Sequence, residues 1–460
     1  MSSMNDGGGG SLGDILLYPE AEAYITSFSE KPFTIKDIGS PRWLQYHEYV
    51  EKLSQQAVLS ATMKQNEFVM ELLVEQEKLG VLIADVVGVE LWREKVFHPF
   101  ILRMDPAQFS PKSTLPLYMT LYHEACVLNL LETVLYHSDA MQSAGESGAV
   151  LDLADYCQRQ LVFLSACEQS ETDSIYDPKL SIQREDESDL QYLGRQALKI
   201  RFDCAVKCVS IVRYLSDHLN TLPISVVTRL IRTNEMPLLL VQLVQSTPWV
   251  KRDPSTGKTS KLIDGKWEQI PASDVHKLTN IEGQIWLAIY QFLFSPEANR
   301  KYEMTSHTKE QFMKLIGHLN DVVVDQIPAL GQLKEYLLRM QMQSFPDQPV
   351  SSSHPIIEQL PEIRMRMEED SSSKWGSIAK YQVNHYFSPS EADLKRLATN
   401  FASLYDSEAL DVILPGIPKC CVCSEDASKR CSKCKMTWYC SRDCQVAHWS
   451  EHKSKCASSL

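Results

Sequence analysis

No apolar run in this 460-residue chain approaches the ~20 residues of a membrane-spanning helix, so no transmembrane segment is expected. The opening MSSMNDGGGGSLGD lacks both a basic start and an apolar core, and no signal peptide is expected from it. Basic excess is also missing: 46 Lys and Arg face 59 Asp and Glu, a formal charge of −13. Phosphate backbones reward a dense basic surface, so the composition argues against nucleic acid as a partner. Cysteine is scarce through most of the chain. Cys126, Cys157, Cys167, Cys204 and Cys208 are the five that precede residue 420, a scatter unlike a secreted disulfide framework. A reducing cytosol is the expected setting.

What is present is helical periodicity. Residues 1–13 are rich in Gly and Ser and are expected to be disordered. From 14 to about 410 apolar residues recur at helical spacing, as Leu44, Tyr49, Leu53, Ala57 and Leu59 do in one segment. Leu117, Leu121, Ala125, Leu128, Leu131 and Val134 form a broader stripe in another. Stretches 129–140, 235–249 and 284–298 share a Leu-rich helix that ends at a polar or Pro turn, an armadillo-like cadence without a strict period. The expected fold is mainly α: an irregular armadillo/HEAT-like α-solenoid, or a helical bundle of the same helix content, with one small β-hairpin. The hairpin spans 261–270, where Asp264-Gly265 suits a type I′ turn. Acidic segment 168–190 reads as an exposed loop, and 344–356, rich in Pro and Ser, as a linker. Ser388-Pro389-Ser390-Glu391 reads as the capping box of a last body helix. Residues 411–418 then link the body to a separate module at 419–457.

Eight of the thirteen cysteines crowd into that module. The spacing is Cys420-x2-Cys423-x7-Cys431-x2-Cys434-x5-Cys440-x3-Cys444-x7-His452-x3-Cys456. Seven thiolates and one imidazole in four chelating pairs suit two tetrahedral Zn²⁺ ions. The x2 knuckles fold tight turns that aim two sulfurs at one point, and the x3 pairs place two ligands on one helix face. So short a segment buries too little apolar surface to fold alone, and metal must supply the folding free energy, about 10–16 kcal/mol per site. A site closed by four protein ligands is structural and not catalytic. Two neighbours compete for places. Cys421 would leave one residue before Cys423, a poor chelate, and His448 stands four residues from both Cys444 and His452. Spacing alone leaves sequential and interleaved pairing both open. The module's eight Lys and Arg against four Asp and Glu fall to near +1 once seven thiolates and two zinc ions are counted, too weak for DNA readout.

With Trp438-Tyr439 before Cys440 and Trp449 before His452, this segment resembles the MYND zinc finger. The resemblance implies interleaved sites, Cys420, Cys423, Cys440 and Cys444 at one and Cys431, Cys434, His452 and Cys456 at the other. It also implies a groove for Pro- and Leu-containing peptides at Ser428, Gln445 and Trp449. Trp449 reads equally well as packing over the zinc sites.

Other chemistry fails on spacing. MYND-bearing methyltransferases need an Asn-His-Ser-Cys-like strand, and Asn384-His385-Tyr386-Phe387 lacks the Ser-Cys. Gly257-Lys258-Thr259 has Arg252 where a phosphate loop needs Gly, and His123-Glu124 has Val127 where a zincin needs His. Cys204 and Cys208 lack a second ligand pair and read as core.

Segments LLYPEAEAYI (16–25), ELWREKVFHPF (90–100), STPWV (246–250), GQIWLAIY (283–290), FSPSEADL (387–394) and ASKRCSKC (427–434) extend the resemblance. They resemble a family of MYND-finger factors that assemble ciliary dynein arms. The resemblance implies a non-enzymatic cytoplasmic adaptor for pre-assembly of inner and outer axonemal dynein arms, needed for ciliary motility. Its implied partners are a leucine-rich-repeat dynein assembly factor, an FK506-binding co-chaperone and an HSP90-type chaperone, with axonemal dynein chains as clients. Its implied location is the cytoplasm, including dynein assembly foci, centriolar satellites, the basal-body region and the apical cortex. The rival reading is a nuclear transcriptional co-repressor adaptor that uses the finger to bind Pro/Leu-containing peptides.

Overall fold

Ser40, Ser188 and Thr279 each turn a side-chain oxygen onto the backbone N–H three residues on, that of Trp43, Gln191 and Glu282. These bonds satisfy donors that a helix start leaves orphaned, and helices begin at the following residues. The computed structural model describes residues 15–29, 33–167, 187–253, 256–347, 359–372, 374–405, 420–423, 429–430 and 437–456. The helices are α1 (Tyr18–Thr26), α2 (Pro41–Met63), α3 (Phe68–Glu75), α4 (Leu79–Trp92), α5 (Leu115–Val134), α6 (Ser138–Glu146) and α7 (Val150–Ala166). Next come α8 (Asp189–Asp217), α9 (Ile224–Thr228) and α10 (Met236–Ser246). Strands β1 (Val250–Arg252), β2 (Thr259–Ile263) and β3 (Lys266–Ile270) form an antiparallel sheet in that order. The body then runs through α11 (Asn280–Phe294), α12 (Pro296–Lys301), α13 (Ser306–Met313), α14 (Asp321–Gln326) and α15 (Ala329–Gln341). It ends with α16 (Ile363–Ser371), α17 (Trp375–His385) and α18 (Glu391–Tyr405).

The helices stack in two rows. α2, α5, α8, α11 and α15 pack successively side by side, and so do α4, α7, α10 and α13. Contacts of α4 with α5, α7 with α8 and α10 with α11 join the rows. Each pair leans on its sequence neighbours, which is the packing of an α-solenoid and not of a single bundle. One continuous apolar cluster fills the space between the rows, from Leu16 to Phe387.

The array is not a simple row, because its last helices return to its first ones. α16 packs on α4, and α17 packs on the π-helical segment Arg93–Ile101 that extends α4. Asp152 of α7 caps α16 from across the fold, accepting the N–H groups of Glu362, Ile363 and Arg364 at 3.2, 3.0 and 3.3 Å. The buried Gln382 amide accepts from Trp92 Nε1 at 2.9 Å and donates to the carbonyls of Ile35 and Ile38 at 2.8 and 3.0 Å. Phe387 lies against Gly39 (φ +85°), where any Cβ would stand 2.7 Å from the ring. The position therefore demands glycine on two counts, its left-handed backbone and the missing side chain.

Polar groups fix the junction of α4, α5 and α7. Arg93 donates to both oxygens of Glu124 at 2.9 Å, and Tyr156 donates to the same carboxylate at 2.9 Å. The His123-Glu124 pair is thus core. His123 sits edge-on to Trp43, with its Nδ1 2.9 Å from that of His47. Burial lowers the His47 pKa to about 4. It raises that of Asp85 to about 7, even though Tyr46 donates a hydrogen bond to it. Cys204 and Cys208 are fully buried, and burial raises both thiols.

Three local expectations shift. The Asp264-Gly265 turn has positive φ at both residues (46° and 77°), as type I′ requires, but a third strand, β1, joins the expected hairpin. Helix α8 begins at Asp189, inside the segment read as acidic loop, because Ser188 caps it and Glu187 pairs with Arg195. The cap of α18 is Ser390 and not Ser388: Ser390 Oγ accepts the Asp393 N–H at 3.2 Å, while Ser388 donates to the Val383 carbonyl. Residues 1–13, most of 168–190, most of 344–356 and all of 411–418 lie outside the described residues. Among the described residues no helix is long and apolar enough to cross a membrane.

Candidate metal centre

The finger holds two short strands, β4 (Lys429–Arg430) and β5 (Trp438–Tyr439), paired antiparallel, followed by α19 (Arg442–Cys456). Its local folding follows from few groups. The Cys421 N–H donates to the Trp438 carbonyl at 3.1 Å, which ties the first knuckle to β5. Ser441 Oγ accepts the Cys444 N–H at 3.3 Å and so caps α19. Tyr439 is completely buried against Cys420, Trp438, Cys440 and Cys444.

These elements bring four sulfurs together. The Sγ atoms of Cys420, Cys423, Cys440 and Cys444 all lie within 4.8 Å of one another. Cys423 is 3.3 Å from Cys440 and 3.8 Å from Cys444, and Cys440 is 3.6 Å from Cys444. Four sulfurs bonded tetrahedrally to zinc at about 2.3 Å stand about 3.8 Å apart, whereas a disulfide needs about 2.05 Å. The cluster therefore fits one tetrahedral zinc ion held by thiolates. Burial raises the Cys420 thiol, but backbone N–H groups of Cys440, Cys423 and Val422 aimed at its sulfur outweigh this and bring its pKa down to about 6. Such donors favour the thiolate, the form that binds metal.

The cluster is made of one knuckle pair from the start of the finger and one pair from the start of α19, the grouping that the MYND resemblance implies for its first site. Cys420, not Cys421, supplies its sulfur. Cys421 Sγ lies 3.2 Å from His448 Nδ1, and the Tyr439 hydroxyl lies 3.1 Å from the same nitrogen, so His448 is engaged with groups other than the four clustered sulfurs. Of the other four expected ligands, His452 is buried on α19 with Nδ1 3.3 Å from Thr437 Oγ1, and Cys456 ends that helix. Cys431 and Cys434 lie outside the described residues, as does Ser428. Gln445 is half-buried, and Trp449 is 40% exposed with its ring 6.0 Å from that of His452. Sequence reading singled out no role for Tyr439, Ser441 or Thr437. The signal for Tyr439 was its place directly before a ligand on a two-residue strand.

Comparison with known proteins agrees with this geometry. The MYND finger family model matches residues 420–456. The zinc finger MYND domain-containing protein 10 homolog of Drosophila melanogaster is 32% identical over 466 residues, which span 96% of this chain and 98% of that protein. No solved structure matches. A relationship that runs through the helical body as well as the finger places the chain in the family of zinc finger MYND domain-containing protein 10.

Proposed function

We propose that the chain is a non-enzymatic cytoplasmic adaptor in the pre-assembly of inner and outer axonemal dynein arms. What supports the reading is that the family relationship covers body and finger together, beside the resemblance of the six segments between 16 and 434 to dynein-arm assembly factors. In this reading the finger carries two structural zinc ions. Cys420, Cys423, Cys440 and Cys444 hold one, and Cys431, Cys434, His452 and Cys456 hold the other. Four protein ligands leave no open position on either ion, so the finger offers shape and contact in place of catalysis. Trp449, exposed on α19 beside half-buried Gln445, is the aromatic anchor of its docking face, with Ser428. The partners are a leucine-rich-repeat assembly factor, an FK506-binding co-chaperone and an HSP90-type chaperone, with dynein chains as clients. The places of action are cytoplasmic assembly foci, centriolar satellites, the basal-body region and the apical cortex.

The test is re-expression of the wild type and of Trp449→Ala in ciliating cells that lack the chain, with partner pull-down, metal counting and inspection of axonemes for dynein arms. Trp449→Ala is expected to keep its zinc and to weaken a finger-dependent partner by about 2 kcal/mol. Normal arms in cells without the chain would refute the assembly role. Loss of zinc in the variant would make Trp449 a packing residue.

A further inference from the structure

The row formed by α2, α5 and α8 leaves a concave groove that the finger-based reading does not use. The β2–β3 turn and the start of α11 close one side of it, and the space is about 810 Å³. Half-buried Tyr122, Val206 and Tyr214 give the groove an apolar floor. Its charge is one-sided. Glu132, Asp203 and Asp264 face it against one cation among the described residues, Lys207, while Glu51 on its wall is buried. Lys207 is already engaged, with Nζ 2.8 Å from Glu132 and 2.7 Å from the Asn129 side-chain oxygen. Asp203 pairs with Lys199 at 2.7 Å, but that lysine is 46% exposed and such a pair is weak in water.

An acidic concavity with low-dielectric walls concentrates cations, and tyrosine faces accept them favourably. Concave faces of stacked helices are also where such arrays hold extended chains. We propose that this groove docks an extended segment of a partner protein in which a Lys or Arg stands beside apolar residues. The basic head meets Asp203 and Asp264, and the apolar neighbours cover Tyr122, Val206 and Tyr214. The surface belongs to the helical body, so the proposal stands apart from the docking role of the finger.

The test is a selection of random peptides displayed on phage against the immobilised, zinc-loaded full chain, followed by fluorescence anisotropy of the recovered peptides. The recovered peptides are expected to carry Lys or Arg beside apolar residues and to bind more weakly as salt rises. Asp203→Asn with Asp264→Asn is expected to weaken them about three- to tenfold. Asparagine keeps the positive φ that residue 264 needs, and Asp264→Asn alone, on an exposed turn, serves if the double variant loses stability. Trp449→Ala is expected to leave their binding unchanged. Recovery of acidic or neutral peptides, equal binding to the asparagine variants, loss of binding in Trp449→Ala, or no recovered binder would each overturn the proposal.

Discussion

From Leu16 to Phe387 one apolar cluster runs through the helical rows, whereas in the finger the buried residues among those described are Cys420, Tyr439 and His452. The body spreads its stability over many burials, each worth about 1.5–3 kcal/mol, so no single apolar contact decides its fold. The finger concentrates stability at four sulfurs within 4.8 Å of one another, which have little reason to stay together without a cation between them. Polar groups differ in the same way. In the body they are paired inside the core, as Arg93 is with Glu124, and they specify which helices meet. In the finger the polar groups are the core.

The contrast is broken most directly by removing metal. A strong chelator is expected to abolish amide protection along α19 and to leave α5 and α8 protected, since each structural zinc contributes about 10–16 kcal/mol of folding free energy. Hydrogen exchange is the measurement, and equal loosening of α5 would show that the two regions do not stand separately. Next in size is a change inside the body. Glu124→Ala strands the buried Arg93 guanidinium and is expected to cost about 3–5 kcal/mol in urea unfolding, with zinc content unchanged.

A pH series sharpens the comparison further. The Asp85 carboxyl titrates at about 7 in the folded body against 3.8 for the free group, because burial disfavours its charge. Between those values the folded state keeps a proton that the unfolded state releases. Its contribution to stability is therefore present at low pH and lost as pH rises through about 7. Asp85→Asn is expected to gain on the wild type by roughly 3 kcal/mol between about pH 5 and about pH 7. A stability difference that does not change with pH would remove Asp85 as the cause. The smallest effect belongs to the return of the chain. Asp152→Ala removes the cap from α16 and is expected to cost about 1 kcal/mol, read as faster exchange of amides 362–366 with the rest of the body unchanged.

Much of this molecule is legible in the residues because its signals are local. Helical spacing in 44–62 and 117–134 reports one-sided burial, and α2 and α5 follow it. Asp264-Gly265 prefers positive φ at both positions and closes the β2–β3 turn. Cys420-x2-Cys423 and Cys440-x3-Cys444 each bend two sulfurs to one point, so each chelating pair can be read without knowing the fold. What lies beyond reach of the sequence depends on partners hundreds of residues apart. Nothing near Asp152 announces that it caps a helix starting at Ile363, or near Gln382 that its amide serves Trp92, Ile35 and Ile38 at once. The chain by itself determined that the body is helical, which turn is tight and that Cys420/Cys423 and Cys440/Cys444 are each spaced to chelate, because backbone preference and ligand spacing act over a few residues. Tertiary structure alone decided that α16 and α17 return to α4, that His123 and Glu124 are core, and that the Cys420/Cys423 pair meets the Cys440/Cys444 pair, because those outcomes rest on which distant groups the fold brings together.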